Sequence, residues 1–367
     1  MNNRKLKIGI TQGDINGIGY EVILKAVEDT RIAELCTPII YGSAKIASYY
    51  LKGADQPAIP MVQIQSPAQA KDNEVNIINV VPEDTKIEPG VLSKSAGEAA
   101  FIALERAVAD LRSGDIDALV TAPINKDAIH SETFHFPGHT EYLEASLGDG
   151  EKALMILCSD AMRVALVTTH LPIAKIPAAI TTEGILDKLT AFSTSLRKDF
   201  GISSPRIAVL SLNPHSGENG LLGSEEKDII IPAIEKARSK NILAFGPYAS
   251  DGFFGTEAYK VFDGVLAMYH DQGLAPFKAK SMDNGVNFTA GLPYVRTSPD
   301  HGTGFDIAGK WVASAESMRQ AIYAAIDIYR NRRNDDYAFR NPLRKQYFEK
   351  GKDNVVLDLT KDDSAND

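Results

Sequence analysis

The chain is poor in cysteine. Only Cys36 and Cys158 occur in 367 residues. They lie far apart and offer no CxxC spacing, so they read as free thiols in a reducing cytoplasm, buried rather than reactive. Long apolar runs are also missing: none reaches the ~18 residues of a membrane span. The start, MNNRKLKIGITQGD, enters a strand-like pattern without the apolar segment and cleavage site of a secretory signal. A cytoplasmic protein with no membrane partner is the expectation. Positive charge is short as well. The formal net charge is -9, which argues against a nucleic-acid partner, since DNA and RNA require a basic face. No GxGxxG and no GxxxxGK[ST] occurs, which disfavours a Rossmann or kinase assignment by motif, and HExxH is absent. No internal repeat of fixed period is visible.

What remains is ordinary for a globular chain: 44% hydrophobic and 24% charged residues,. The length exceeds one ordinary core and fits two domains or one large α/β domain. Short apolar runs alternate with helical patterns. "LKIGIT", "TPIIYGS", "VNIINVV", "ALVTAP", "VALVTTH", "IAVLSLNP" and "GVLAMYH" read as strands. "YEVILKAVED", "AKIASYYLK", residues 95–113, "TEGILDKLTAFSTSLRKDF" and "SEEKDIIIPAIEKARSK" read as helices. Strands apolar throughout and separated by helices predict a parallel sheet covered on both faces. A last helix is expected over 317–332. The arginines of its "RNRRNDDY" end suit a helix C-terminus, and the face reads as solvated. The polar tail 351–367 reads as disordered.

Of seven histidines, three follow strands: His170, His215 and His270. Ligands of open parallel sheets bind beyond the carboxyl ends of the strands. Three strands could therefore bring three imidazoles to one rim, a donor set that suits zinc, cobalt, nickel or iron. A loop or core role for each histidine is the plain alternative.

Other loops are polar in the same places. "TAPINKD" puts Asn125 and Lys126 at a strand end. "FPGHTEYL" puts His139 and Thr140 before a helix, with Thr140 as a candidate N-cap and Glu141 in the first turn. "GLPYVRTSPDHGTGFDIAG" gathers Arg296, Asp300 and His301, and an arginine can grip phosphate or carboxylate bidentately. Lys278 and Asn287 lie just upstream. "GDINGIG" (Gly13 to Gly19) joins a strand to a helix, either as a ligand-approach loop or as a structural turn.

Six blocks in order, "TAPINK", "PGHTE", "VTTHLP", "LNPHSGE", "YHDQG" and "GLPYVRTSPDHGT", together resemble the 4-hydroxythreonine-4-phosphate dehydrogenase (PdxA) family of vitamin B6 biosynthesis. The resemblance spans Gly13 to about Gly309. It implies an isocitrate/isopropylmalate-dehydrogenase-like α/β fold with α/β/α layers and a cleft between two domains. These would be 1–128 plus about 303–350, and 129–302. It also implies a homodimer with shared active sites, NAD (or NADP) bound without GxGxxG, and one divalent metal, zinc first, with cobalt or magnesium as alternatives.

By motif, the family's metal ligands fall on His170, His215 and His270, one of them reaching across the dimer interface. Its substrate contacts fall on His139, Thr140, Lys278, Asn287 and Arg296. Asp300, His301 and Gly302 are the expected cofactor contacts. Lys126 and Asp251 are candidates for the general base on polarity and loop position, and Asp271 is a candidate to orient His270. One departure stands out: the family's first loop reads G-E-P-A-G-I-G, against GDINGIG here, with the carboxylate kept as Asp14.

The implied reaction oxidises the C3 hydroxyl of 4-phosphooxy-L-threonine to 2-amino-3-oxo-4-phosphooxybutanoate, with hydride passing to NAD+. The product loses CO2 to give 3-amino-2-oxopropyl phosphate. Two rivals stay open. A relative within the family would oxidise 4-phospho-D-threonate or 4-phospho-D-erythronate. A metal-dependent phosphate-ester hydrolase would use the same histidines and basic pocket without NAD.

Overall fold

The computed structural model describes residues 4–130 and 134–340. Among the described residues, twelve strands form one sheet. In chain order they are β1 (Leu6–Thr11), β2 (Cys36–Gly42), β3 (Met61–Ile64), β4 (Val75–Asn79), β5 (Ala118–Thr121) and β6 (Leu154–Cys158). The second half supplies β7 (Arg163–Leu166), β8 (Arg206–Leu210), β9 (Leu243–Tyr248), β10 (Gly264–Ala267), β11 (Val286–Ala290) and β12 (Arg296–Pro299). Their spatial order is β3-β4-β2-β1-β5-β12-β11-β6-β7-β10-β8-β9.

Each strand read from the sequence is present. The all-parallel expectation needs correction. β11 runs antiparallel to both β12 and β6, and β6 runs antiparallel to β7. Connection length accounts for the β6–β7 and β11–β12 pairs. Only residues 159–162 separate β6 from β7, and only 291–295 separate β11 from β12. Such short links can join antiparallel neighbours but cannot make a parallel crossover.

Residues of β2 are buried throughout, as a central strand between helical layers requires. The apolar core is continuous along the sheet, from Ile8 and Ile10 on β1 through Ile156 on β6 to Ile207 and Val209 on β8. Both cysteines are buried and free, and burial pushes each thiol up to about 12. That matches the expectation of inert thiols.

Three other expectations change. The helix read from "SEEKDIIIPAIEKARSK" opens as a wide turn, Glu226–Ile230, and becomes regular only at Ile231–Ser239. Pro232 sits at this junction, where its missing N–H costs least. The last helix runs from Glu316 to Phe339, beyond the arginines, and has no basic residue in its last turn. "RNRRNDDY" is therefore not a dipole cap. It docks against the helix Thr182–Lys198: Arg332 Nε lies 2.6 Å from Asp199 Oδ1, and Asp335 and Asp336 pair with Arg197 and Lys198. The predicted tail 351–367 lies outside the described residues. No helix among those described is long and apolar enough to cross a membrane.

The loop GDINGIG behaves as a clasp. Asn16 is fully buried; its Nδ2 donates to Val91 O at 2.8 Å and to Ser93 Oγ at 3.1 Å, and its Oδ1 accepts from Glu88 N at 2.8 Å. Asp14 Oδ1 accepts from Asn16 N. Gly13 has φ +68, and a Cβ there would meet Pro123 O at 2.3 Å, so backbone sign and space both demand glycine.

Candidate active site

A cleft of about 330 Å³ opens beside the β5–β12–β11–β6 stretch of the sheet. Of the thirteen site positions expected from sequence, eleven line it: Lys126, His139, Thr140, His170, His270, Lys278, Asn287, Arg296, Asp300, His301 and Gly302. His215 and Asp251 do not.

β5 ends at Thr121, and the chain turns at Asn125, whose Oδ1 caps the short helix Lys126–Ile129 by accepting from Asp127 N and Ala128 N. This cap fixes the base of Lys126. The next helix, His139–Leu147, is capped by Gly138 at φ 179 with no side-chain cap bond. Thr140 is thus not the N-cap but the second residue of the helix. Glu141 does lie in the first turn. Both His139 and Thr140 face the cleft from this helix start.

Arg296 opens β12 and is 3% exposed. Its Nε and Nη2 donate to Thr121 Oγ1 at 3.1 and 2.6 Å, and its Nη1 donates to Thr289 Oγ1 at 3.0 Å. Burial pushes its pKa down to about 9, against the opposing pull of Glu141. No carboxylate pairs with it directly among the described residues; Glu141, which also lines the cleft, acts on it only at longer range. Burial, and then the charge of Arg296, hold the nearby His139 imidazole well below its usual value. His139 is therefore neutral near pH 7.

Several buried polar atoms around this cation have no hydrogen-bond partner among the described residues: His139 Nε2, Asn287 Oδ1, Asp300 Oδ2 and His301 Nε2. Unmatched buried polar atoms are costly unless something completes them, and four in one cleft mark a place built for a polar ligand. Lys278 Nζ lies 3.4 Å from Asp300 Oδ1. Burial raises the Asp300 carboxyl while Lys278 pulls it down. His301 is held below its usual value by burial, and its Nδ1 sits 3.0 Å from Gly302 O.

At the far side the rings of His170 and His270 lie 6.0 Å apart, centroid to centroid. His270 is the first residue of the helix His270–Ser281. Its Nδ1 sits 2.7 Å from Asp271 Oδ1, which leaves Nε2 as the free lone pair when Nδ1 carries the proton. His215 lies elsewhere, in an exposed turn. His215, Ser216, Glu218 and Asn219 all have φ between 42 and 57, a left-handed run that L-residues avoid. Glu226 anchors the base of this turn by accepting from Leu212 N and Asn213 N at 2.8 and 2.7 Å. Among the described residues of one chain, no cluster of three metal-binding side chains forms.

Sequence reasoning missed Thr121 and Thr289, which hold Arg296. A threonine in "VTAP" or "NFTAG" carries no signal of its own. Only the strand order, which places β12 between β5 and β11, turns both hydroxyls toward the guanidinium.

Comparison with known proteins finds relatives over nearly the whole chain. A curated 4-hydroxythreonine-4-phosphate dehydrogenase of Bacteroides thetaiotaomicron is 56% identical, over 98% of this chain and 98% of its own. A D-threonate 4-phosphate dehydrogenase of Cupriavidus necator is 39% identical, over 88% of this chain and 96% of its own. The crystal structure of 4-hydroxythreonine-4-phosphate dehydrogenase from Klebsiella pneumoniae superposes with a TM-score of 0.78 at 35% identity, covering 90% of this chain and 99% of that one. Residues 34–325 match the family of the pyridoxal phosphate biosynthetic protein PdxA, and the chain belongs to that family.

Proposed function

We propose that the chain is an NAD-dependent dehydrogenase that oxidises the C3 hydroxyl of 4-phosphooxy-L-threonine. The observation that carries this reading is Arg296, a buried cation with no carboxylate partner, flanked by Lys126 and Lys278 in one cleft. A substrate with a phosphate and a carboxylate supplies the missing negative charge. His139, Thr140 and Asn287 would orient it, which matters because hydride transfer needs near-contact geometry.

The C3–H bond breaks as hydride leaves for NAD+, the hydroxyl proton goes to a base, and a C3 ketone remains. Lys126 lines the cleft and is one candidate base. Asp251 is the other, outside this chain's cleft on the helix Ser250–Gly255. The β-keto acid then loses CO2. Asp300, His301 and Gly302 are the proposed cofactor contacts, with NAD or NADP as the acceptor.

The residues present fit a divalent metal in part. Two of the three expected ligand imidazoles, His170 and His270, line the cleft, the latter with its second nitrogen against Asp271, a donor set that suits zinc, with cobalt or magnesium as alternatives. Such an ion, when bound, lowers the pKa of the C3 hydroxyl. The third imidazole, His215, stands in a strained, exposed turn outside the cleft. That supports a homodimer in which His215 of a second copy completes the set. We place the protein in the cytoplasm, with the cleft between domains 1–128 plus about 303–350 and 129–302.

One relative acts, by its name, on D-threonate 4-phosphate, so a threonate or erythronate phosphate is the second reading. The test is NADH formation with the L-threonine, D-threonate and D-erythronate phosphates in parallel, with and without chelator. Chelator-sensitive NADH from the first alone supports the proposal. Preference for the others moves the substrate, and no NADH from any, with no thermal stabilisation by NAD+, favours the hydrolase reading. His270→Ala with unchanged metal content and turnover would refute the metal site. Mixed dimers test the sharing: co-expressed His215→Ala and His270→Ala chains are each inactive alone but recover about a quarter of the sites together under random pairing.

A further inference from the structure

We propose that Thr121 and Thr289 are positioning residues for this reaction: their hydroxyls orient the Arg296 guanidinium without neutralising it and leave N–H groups free for a substrate oxyanion. The inference rests on the reading above that a phosphorylated hydroxy acid occupies the cleft.

A guanidinium carries five N–H groups. Three go to the two hydroxyl oxygens, Nε and Nη2 to Thr121 Oγ1 and Nη1 to Thr289 Oγ1. Two therefore remain for a ligand, the number that a bidentate phosphate or carboxylate takes. The clamp spans three neighbouring strands, with Thr121 on β5, Arg296 on β12 and Thr289 on β11. It holds the plane of the fork from both sides. A buried arginine is ordinarily met by a carboxylate. An aspartate here would neutralise the cation and compete with the incoming anion, whereas a hydroxyl supplies an acceptor with no net charge. The cost of that choice is a naked buried charge, consistent with the lowered pKa of Arg296. The ligand atoms are the oxygens of an oxyanion, which the phosphate or the carboxylate of the substrate would supply.

The test compares Thr121→Val, Thr121→Ser and Thr289→Val with wild type. Steady-state kinetics use the phosphorylated substrate that wild type oxidises. Calorimetric titrations use inorganic phosphate in one arm and L-threonine, a carboxylate without phosphate, in the other. The expected result is a KM raised about tenfold or more in Thr121→Val, the scale of one lost charge-assisted hydrogen bond, with kcat much less changed. Thr121→Ser restores KM to within about threefold of wild type, and Thr289→Val shows a smaller rise of the same kind. The arm whose affinity falls identifies the oxyanion at Arg296. A folded Thr121→Val with lowered thermal stability but wild-type KM and anion affinity overturns the proposal, because that outcome is purely structural. If Thr121→Val does not fold, Thr289→Val and Thr121→Ser decide by the same KM criterion. If wild type oxidises none of the phosphorylated compounds, the functional reading fails instead, and phosphate affinity in wild type against Thr121→Val still decides this one.

Discussion

Gln272 Nε2 donates to Ser250 Oγ at 2.8 Å. The same nitrogen donates to Ser211 O, and Gln272 Oε1 accepts from Met268 N at 2.7 Å. One amide thus ties the end of β10, the end of β8 and the start of the helix that carries Asp251. Gln272→Ala leaves a partly buried N–H and carbonyl unmatched and is expected to cost about 1–3 kcal/mol. Urea unfolding measures it. A variant as stable as wild type would show that the tie does not hold these segments.

Asn16 stands where the family's usual first loop has alanine. Its three side-chain bonds reach Glu88, Val91 and Ser93. Asn16→Ala restores the usual residue but strips a partly buried backbone N–H and carbonyl of their partners. A loss of about 1–3 kcal/mol is expected, with KM for substrate unchanged, since Asn16 does not line the cleft. A large KM change with unaltered stability would instead assign this loop to ligand binding.

Arg332 and Asp199 form the most enclosed tie between the last helix and the helix Thr182–Lys198, with side chains 12% and 4% exposed. Removing one partner strands a buried charge, so Arg332→Ala is expected to cost about 3–5 kcal/mol. The exposed pair Lys198–Asp336 should cost under about 1 kcal/mol when broken. Equal effects in chemical denaturation would contradict the burial argument.

His139 gives a pH prediction. Its folded-state pKa lies well below the usual 6.5, so as pH falls the unfolded chain takes up this proton first. Stability from this group is full above about pH 6.5 and declines as pH drops toward the folded value. A His139→Gln variant should flatten that part of the stability curve between pH 7 and 5. Wild-type and variant curves that run parallel would exclude His139 as the source.

Seven strands, β1, β2, β4, β5, β7, β8 and β10, were legible because their apolar runs are continuous. Five were not read: β3 has only four residues with Gln63 among them, Gly246 and Pro247 interrupt the run of β9, and for β6, β11 and β12 the turns at 159–162 and 291–295 lack the Asn-Gly or Asp-Gly pairs that announce a hairpin. The cleft residues were legible mainly through the order of motifs. What the chain hid was placement. His215 follows a strand just as His170 does, yet it sits in a left-handed turn and does not line the cleft of its own chain. Thr140 looks like a cap, yet Gly138 takes that position because an extended glycine precedes the helix. "RNRRNDDY" looks like a solvated end, and Arg330, Arg333, Asn334 and Tyr337 are exposed as expected, yet Asp199, a remote residue, holds Asn331 and Arg332.

The two halves of the sheet meet at a short seam. β5 and β12 share only the register pairs Arg296↔Leu119 and Thr297↔Val120, with Leu119 N donating to Val295 O beside them. Every other neighbouring pair of strands shares at least three such pairs. The last helix packs against β5, β12 and β11 alike and so spans this line, where the strand ladder itself is shortest. Arg296 is built into that line, and its bonds to Thr121 on β5 and Thr289 on β11 stitch with side chains what the short ladder leaves unpaired.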